Sequence, residues 1–183
     1  MKAIAQHSSS TAEHYTPSAF IEAARLTMGG IDLDPATTAF VNHNRVGAKM
    51  FYTEGDDGLS SQWYGKVWLN PPGGRLGKKS RAAVWWEKLF EEYRADRIEQ
   101  AIFLGFTLEI LATSQDADNW VGGFPFCVPR NRIEFDTVHH EQFVKGESPT
   151  HSNIICFLPP HADYHAAVHR FHTQFSKFGR VSA

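Results

Sequence analysis

The sequence predicts an α/β protein, a central sheet with helices on both faces, and three observations point there. Short apolar runs with strand character alternate with amphipathic stretches of helical period along most of the chain. At 183 residues and 42% apolar content there is material for one substantial core and too little for two ordinary domains. No Pro/Ser/Gly-rich linker, repeat or low-complexity block interrupts the sequence after residue 14. One domain over 14–183 is therefore expected, behind a flexible N-terminus over 1–13 that carries Ser8, Ser9, Ser10 and Thr11.

The elements follow in order. A helix is predicted over 17–28, where Phe20, Ile21, Ala24, Leu26 and Met28 are interspersed with Glu22 and Arg25. Thr16 is placed to cap it and Pro17 to occupy its first position, while Gly29-Gly30 stops it. A short strand over 31–33 ends on Asp34, and Pro35 opens a second helix reaching about residue 43. Residues 66–69 form the next strand. An amphipathic helix over 81–93 buries Ala82, Val84, Trp85, Leu89 and Phe90. A buried strand over 101–106, a helix or turn over 108–114, strands over 133–135 and 153–158, and a helix over 161–175 complete the order.

The stretch Val67-Trp68-Leu69-Asn70-Pro71-Pro72-Gly73-Gly74 is the most informative. Pro71 and Pro72 have fixed φ and no N–H, so the chain must leave the sheet at Asn70. The resulting corner offers acceptors, the Asn70 side-chain oxygen and the Asn70 and Pro71 carbonyls, with few competing donors. An exocyclic amino group, with two N–H bonds and a delocalised lone pair, suits it. Accepting both hydrogens returns electron density to the nitrogen and makes it nucleophilic.

Asn70-Pro71-Pro72 resembles the Asp/Asn-Pro-Pro-aromatic signature of amino-group DNA methyltransferases. Three further segments resemble, in order, the small phage-type (Dam-like) DNA N6-adenine methyltransferases: His14-Tyr15-Thr16-Pro17, Asp32-Leu33-Asp34-Pro35-Ala36, and Asp57-Gly58-Leu59 with Trp63. The later segments 129–135 and 152–158 resemble the family more loosely. The resemblance implies a reduced Rossmann-like fold dependent on S-adenosylmethionine (SAM), and a flipped adenine in DNA as methyl acceptor. It makes Asn70, Pro71 and Pro72 the catalytic corner and sets Tyr15, Thr16 and Pro17 beside the SAM pocket. Asp32, Asp34 and Pro35 would serve the ribose, and Asp57 the adenine amino group of SAM. It also implies a phage or prophage gene acting in the cytoplasm of a bacterial host.

The sequence departs from the pattern twice. Gly73 stands where an aromatic ring usually stacks on the target base, so another ring must do so; Phe106, after the next apolar strand, is the first choice, with Phe124 and Phe126 behind it. Gly73 and Gly74 would let the backbone approach the substrate closely. No Gly-x-Gly loop follows an upstream strand. Three other readings stay open: a degenerate relative that binds DNA or protein without catalysis, a cytosine N4 acceptor, and an amino group on RNA or a modified base.

Net charge is −2, so phosphate binding must be local. Arg75, Lys78, Lys79 and Arg81 crowd the stretch after the corner, and Arg130 and Arg132 form a second basic pair. The segments 73–80 and 114–132 are expected to carry what target specificity there is. Cys127 and Cys156 sit among apolar neighbours and read as buried free thiols. No apolar run approaches membrane-spanning length, and no secretory signal opens the sequence. His165, His169 and His172 share a helix face, but no recognised ligand set forms, and no metal is expected.

Overall fold

The computed structural model describes residues 14–115, 118–146 and 150–182; the N-terminus over 1–13, read as flexible, lies outside the described residues. The helices are α1 (Ser18–Met28), α2 (Ala39–Val41), α3 (Arg81–Arg94), α4 (Glu109–Thr113) and α5 (Tyr164–Phe175). The strands are β1 (Leu33–Asp34), β2 (Met50–Phe51), β3 (Gly65–Leu69), β4 (Arg75–Leu76), β5 (Lys79–Ser80), β6 (Ile98–Gly105), β7 (Phe126–Pro129), β8 (Asp136–His139), β9 (Gln142–Lys145), β10 (Ile154–Leu158) and β11 (Gly179–Ser182). Seven strands form one mixed sheet in the order β11-β7-β10-β6-β3-β1-β2, with β4-β5 and β8-β9 as separate hairpins.

The core of the sheet, β2-β1-β3-β6, is parallel, and β10 pairs antiparallel with both β6 and β7. Alternation along the central strands feeds two cores. Trp68, Ile102, Leu104, Ile155 and Phe157 pack with α1 and α5, whereas Val67, Leu69, Ala101, Phe103 and Cys156 pack with α3 and α4. Both faces are thus covered, which is why these strands read as continuous apolar runs. Each large side chain buried so completely, Trp68 and Phe103 among them, contributes about 1.5–3 kcal/mol.

The chain departs from the sequence reading in its short elements. Residues 133–135 are extended but join no ladder. Asn153 Oδ1 accepts the Ile133 N–H at 3.1 Å, and Ile133 and Phe135 are buried as core, so pairing starts only at Asp136. β7, between Pro125 and a terminal Pro129, and β11, led by Gly179, are four-residue strands that the sequence reading did not place. α1 ends as expected, on Gly29 at φ 72 with the Gly30 N–H returning to the Arg25 carbonyl.

Its start differs. Pro17 flanks the helix, and the Thr16 hydroxyl caps nothing: it is buried with no hydrogen-bond partner among the described residues. The second helix also begins later than predicted, at Ala39 behind a Thr38 cap, and runs into a π-helical turn over Asn42–Val46.

Candidate active site

The order of the parallel strands fixes where a ligand would sit. From β1 the chain moves outward to β2, then crosses back to β3 on the other side of β1, and β6 lies beyond. Connections therefore diverge between β1 and β3, and the crevice at their carboxyl ends is the switch point where open α/β sheets bind ligands. Leu33 pairs with Val67, which sets Asp34 at the end of β1 beside the end of β3, where Asn70 follows Leu69. A small cavity of about 20 Å³ lies there, lined by Thr16, Asp34, Thr37, Arg45, Trp68 and Asn70 among others.

Asn70 is half-buried, and its Nδ2 donates to the His14 carbonyl at 2.8 Å. A carbonyl can only accept, so the amide is oriented with Oδ1 turned away from His14. No described donor reaches Asn70 Oδ1 or the Pro71 carbonyl. The tether thus leaves an acceptor corner of the kind the two prolines imply. Pro71 is buried and Pro72 exposed.

Asp34 is only 2% exposed and forms no ion pair among the described residues. Its Oδ1 accepts the Ala36 N–H at 3.1 Å, a local turn in place of a helix cap. Burial pushes its carboxyl up to about 7, against smaller opposing contributions from the Ala36 N–H and the Thr37 hydroxyl. A carboxyl poised near neutrality in a crevice makes Asp34 a candidate functional residue.

Asp32 does not share the cavity. Its Oδ1 lies 2.7 Å from Lys49 Nζ and its Oδ2 accepts the Lys66 N–H at 2.9 Å, at the opposite end of the short strand. Burial works against the charged form, but these partners outweigh it and hold the Asp32 carboxyl below its ordinary range. A Cβ at Gly65 would sit 2.5 Å from Asp32 Oδ2, so the lock also requires that glycine.

Asp57 is exposed, with φ 50, and reaches the neighbourhood of the crevice through Gly58. A Cβ on Gly58 would lie 2.0 Å from the Pro35 carbonyl oxygen, and the Gly58 carbonyl accepts from Trp63 Nε1 at 2.7 Å. Asp-Gly-Leu…Trp is thereby a clamp that presses the 57–58 turn onto the 34–36 turn. Gly58→Ala is expected to destabilise the fold by about 2 kcal/mol or more, since backbone must move to admit the methyl group. A denaturant melt measures it.

The π-helical turn aims Arg45 into the same region, a use such turns often have. Arg45 Nη1 donates to the Thr16 carbonyl at 3.0 Å and to Asp136 Oδ2 at 2.7 Å, and its guanidinium lies 3.5 Å from the centroid of the Phe143 ring. With the Tyr15–Asp136 bridge, it bolts the segment 14–16 to the β8-β9 hairpin. Pro17 stands beyond this bolt, lining a different cleft together with Arg130 and Arg132.

Beyond Asn70 the rim is aromatic. The His14 ring lies 5.1 Å from Phe106 and 5.7 Å from Phe135, and Phe106 and Phe135 stack at 5.6 Å. Burial lowers the His14 pKa, favouring the neutral ring. Gly73 and Gly74 lead from the corner into the β4-β5 hairpin, which presents Arg75, Lys78 and Lys79 to solvent. Arg81 opens α3, with its N–H on the Gly74 carbonyl at 3.0 Å. Of these cations, Lys79 is committed to Glu87 at 2.7 Å.

The structure therefore gathers Tyr15, Thr16, Asp34 and Asn70 around one crevice with Phe106 at its edge. It leaves Asp32 apart and the first basic cluster on a projecting hairpin. Arg45, Thr37, His14 and Asp136 escaped sequence reasoning. Only the extra width of the π turn marks Arg45 locally.

Among the described residues no three His, Cys, Asp or Glu side chains are arranged to hold a metal ion, and no helix is long and apolar enough to cross a membrane. No protein-family model and no curated protein matches this sequence.

Proposed function

We propose that the protein is a SAM-dependent DNA methyltransferase, adenine-specific at N6, built on a reduced Rossmann-like methyltransferase fold. The observation that carries this reading is Asn70: its amide is tethered through Nδ2, which leaves Oδ1 and the Pro71 carbonyl as unengaged acceptors at the switch point. Two acceptors on one corner match the two N–H bonds of an exocyclic amino group. They hold it with its lone pair released from the ring, and catalysis comes from positioning and electrostatics. One hydrogen then leaves the methylated nitrogen as a proton to water; Asn70 Oδ1, too weak a base to take it, only accepts its hydrogen bond. No covalent enzyme intermediate is required. Both cysteines are buried, and burial raises their thiols, Cys127 up to about 11.

The cofactor side fits on two observations: the orphan Thr16 hydroxyl and the unpaired Asp34 carboxyl both border the crevice. They would hold polar groups of SAM, with Asp57 nearby for its adenine. Bound there, SAM supplies an electrophilic methyl carbon. The cavity of about 20 Å³ has room for roughly one water, whereas ligand pockets run to several hundred Å³. Binding thus requires the crevice to widen; one of its walls, the segment 14–16, is held to the β8-β9 hairpin by the paired Tyr15–Asp136 bonds of 2.8 and 2.9 Å.

That closed cavity, with Gly73, favours a second reading, a DNA-binding relative without methyl transfer. Calorimetric titration with SAM separates the two. Micromolar binding supports the enzyme, and none up to about 1 mM leaves the binding module.

Gly73 itself is not demanded by the backbone. Its φ lies outside the left-handed region, and a Cβ there meets nothing within 4 Å, whereas Gly74 has φ 93. Gly73→Tyr is expected to leave stability within about 0.5 kcal/mol and to lower KM for DNA by supplying a stacking ring. Thermal melts and steady-state kinetics check both halves.

A further inference from the structure

A cleft of about 390 Å³ lies apart from the crevice. It is bounded by the loop carrying Arg130 and Arg132, by Lys145 of β9, and by Lys177-Phe178 before β11, with Phe20 of α1 at its floor. We propose that this cleft is a nucleotide subsite that takes an unpaired DNA strand beside the acceptor base. The proposal rests on the methyltransferase reading for its acceptor, though not for the binding itself.

Charge and ring chemistry together argue for it. Two carboxylates face the cleft and both are occupied: Glu134 by Lys145 at 2.9 Å and Asp136 by Arg45 at 2.7 Å. Arg130 and Lys177 have no carboxylate within ion-pair reach among the described residues. Arg130 Nη1 donates to the Lys177 carbonyl at 3.2 Å, and Lys177 Nζ only approaches Gln174 at 3.5 Å. The cleft is thus locally cationic on a chain whose net charge is −2. Its floor is a stacked pair, Phe20 and Phe178, with ring centroids 4.1 Å apart and both side chains half-buried. Cations that track phosphates beside rings that accept bases are the chemistry of single-strand binding. A duplex, with its bases already stacked, would present phosphates alone and leave the rings unused.

The cleft is also wired to the catalytic corner. Asn153 holds the loop through the Ile133 N–H at 3.1 Å and donates to the Phe106 carbonyl at 3.0 Å. Phe106 packs on His14, whose carbonyl holds Asn70. Asn153 thus couples the loop at the cleft to the Phe106 edge of the crevice.

Fluorescence anisotropy on the full chain, without SAM, tests this with a labelled oligodeoxynucleotide of about 16 nucleotides, single-stranded or annealed. The expected result is single-strand binding at least tenfold tighter than duplex. Lys177→Gln, at an exposed position, should lower the slope of log K against log salt by about 0.7. Phe178→Leu, which keeps the apolar contact and loses the ring, should weaken single-strand binding by about tenfold. Equal or tighter duplex binding, wild-type behaviour from both variants, or RNA bound at least as tightly as DNA would each overturn the proposal. If the strand binds as expected and SAM does not, the methyltransferase reading falls and the subsite stands. Methyl transfer to duplex without single-strand binding gives the reverse.

Discussion

Asn70→Ala is expected to lower methyl transfer to DNA by a hundredfold to a thousandfold in kcat while the protein stays folded. The size follows from removing one preorganised hydrogen-bonding group at the reacting atom, which costs about 10²–10³ in rate in a water-poor site. The structural cost is small, because the residue is half-buried and its one side-chain hydrogen bond among the described residues is Nδ2 to the His14 carbonyl at 2.8 Å. Losing a neutral hydrogen bond costs about 1 kcal/mol, or roughly 2–4 °C in Tm for a chain of this size.

Asn70→Asp separates the two jobs of the side chain. The carboxylate can still accept from an amino group, but it cannot donate to His14, so its lone pairs face the carbonyl. It should retain more turnover than the alanine variant and loosen the segment 14–16. Product nucleosides separated by mass give the readout. Label in N6-methyladenine that disappears in Asn70→Ala supports the mechanism; label in another nucleoside keeps the corner and changes the acceptor; unchanged labelling removes Asn70 from the chemistry.

The corner was legible because its chemistry is local. Two prolines after an apolar strand dictate where the chain leaves the sheet, whatever surrounds it. The long helices α1, α3 and α5 were legible for the same reason, each carrying its own apolar stripe. Thr16 was legible only through the motif: before a proline and an apolar run it has the signature of a helix cap, yet its hydroxyl caps nothing and borders the crevice.

Asp32 and Asp34 are alike in sequence and opposite in environment. The alternation that puts both on one side of the strand gives no sign that Lys49 and the Lys66 N–H claim the first. Arg45 depends on partners 29 and 91 residues away, Thr16 and Asp136, and such pairings leave no local pattern. The hairpin β4-β5 is too short and too exposed to show strand alternation, and the partly buried β8-β9 has no fully buried position to mark a face.

Asp34→Asn is expected to stabilise the protein at pH 8, by up to on the order of 4 kcal/mol, and to weaken SAM binding. In the folded chain burial holds the Asp34 proton up to about pH 7, while in the unfolded chain the carboxyl ionises near the ordinary carboxylate value. Between these limits the folded state binds more protons, so stability falls as pH rises from about 4 to about 7 and then levels off. Below that window Asp34 is neutral in both states, and the wild type and the amide variant should melt alike. Above it the wild type carries a buried charge with no cationic partner, which the amide avoids while still accepting from the Ala36 N–H and the Thr37 hydroxyl. The gap in Tm should therefore open with pH, reaching up to roughly 8–16 °C at pH 8.

A buried carboxylate that costs stability at physiological pH makes sense if a ligand satisfies it. Donor groups on a bound ligand would draw the carboxyl back toward ionisation, so SAM affinity in the wild type should rise as pH climbs toward about 7, level off above it, and stay flat in the variant. Charge-assisted hydrogen bonds contribute about 1.5–3 kcal/mol each, so the variant should bind SAM at least about tenfold more weakly at pH 8. Melting and calorimetry at pH 5 and pH 8 give four values for each protein. Lower stability of the variant at pH 8 would mean that the carboxylate already has a counterion inside the protein, and the ligand argument would lose its basis.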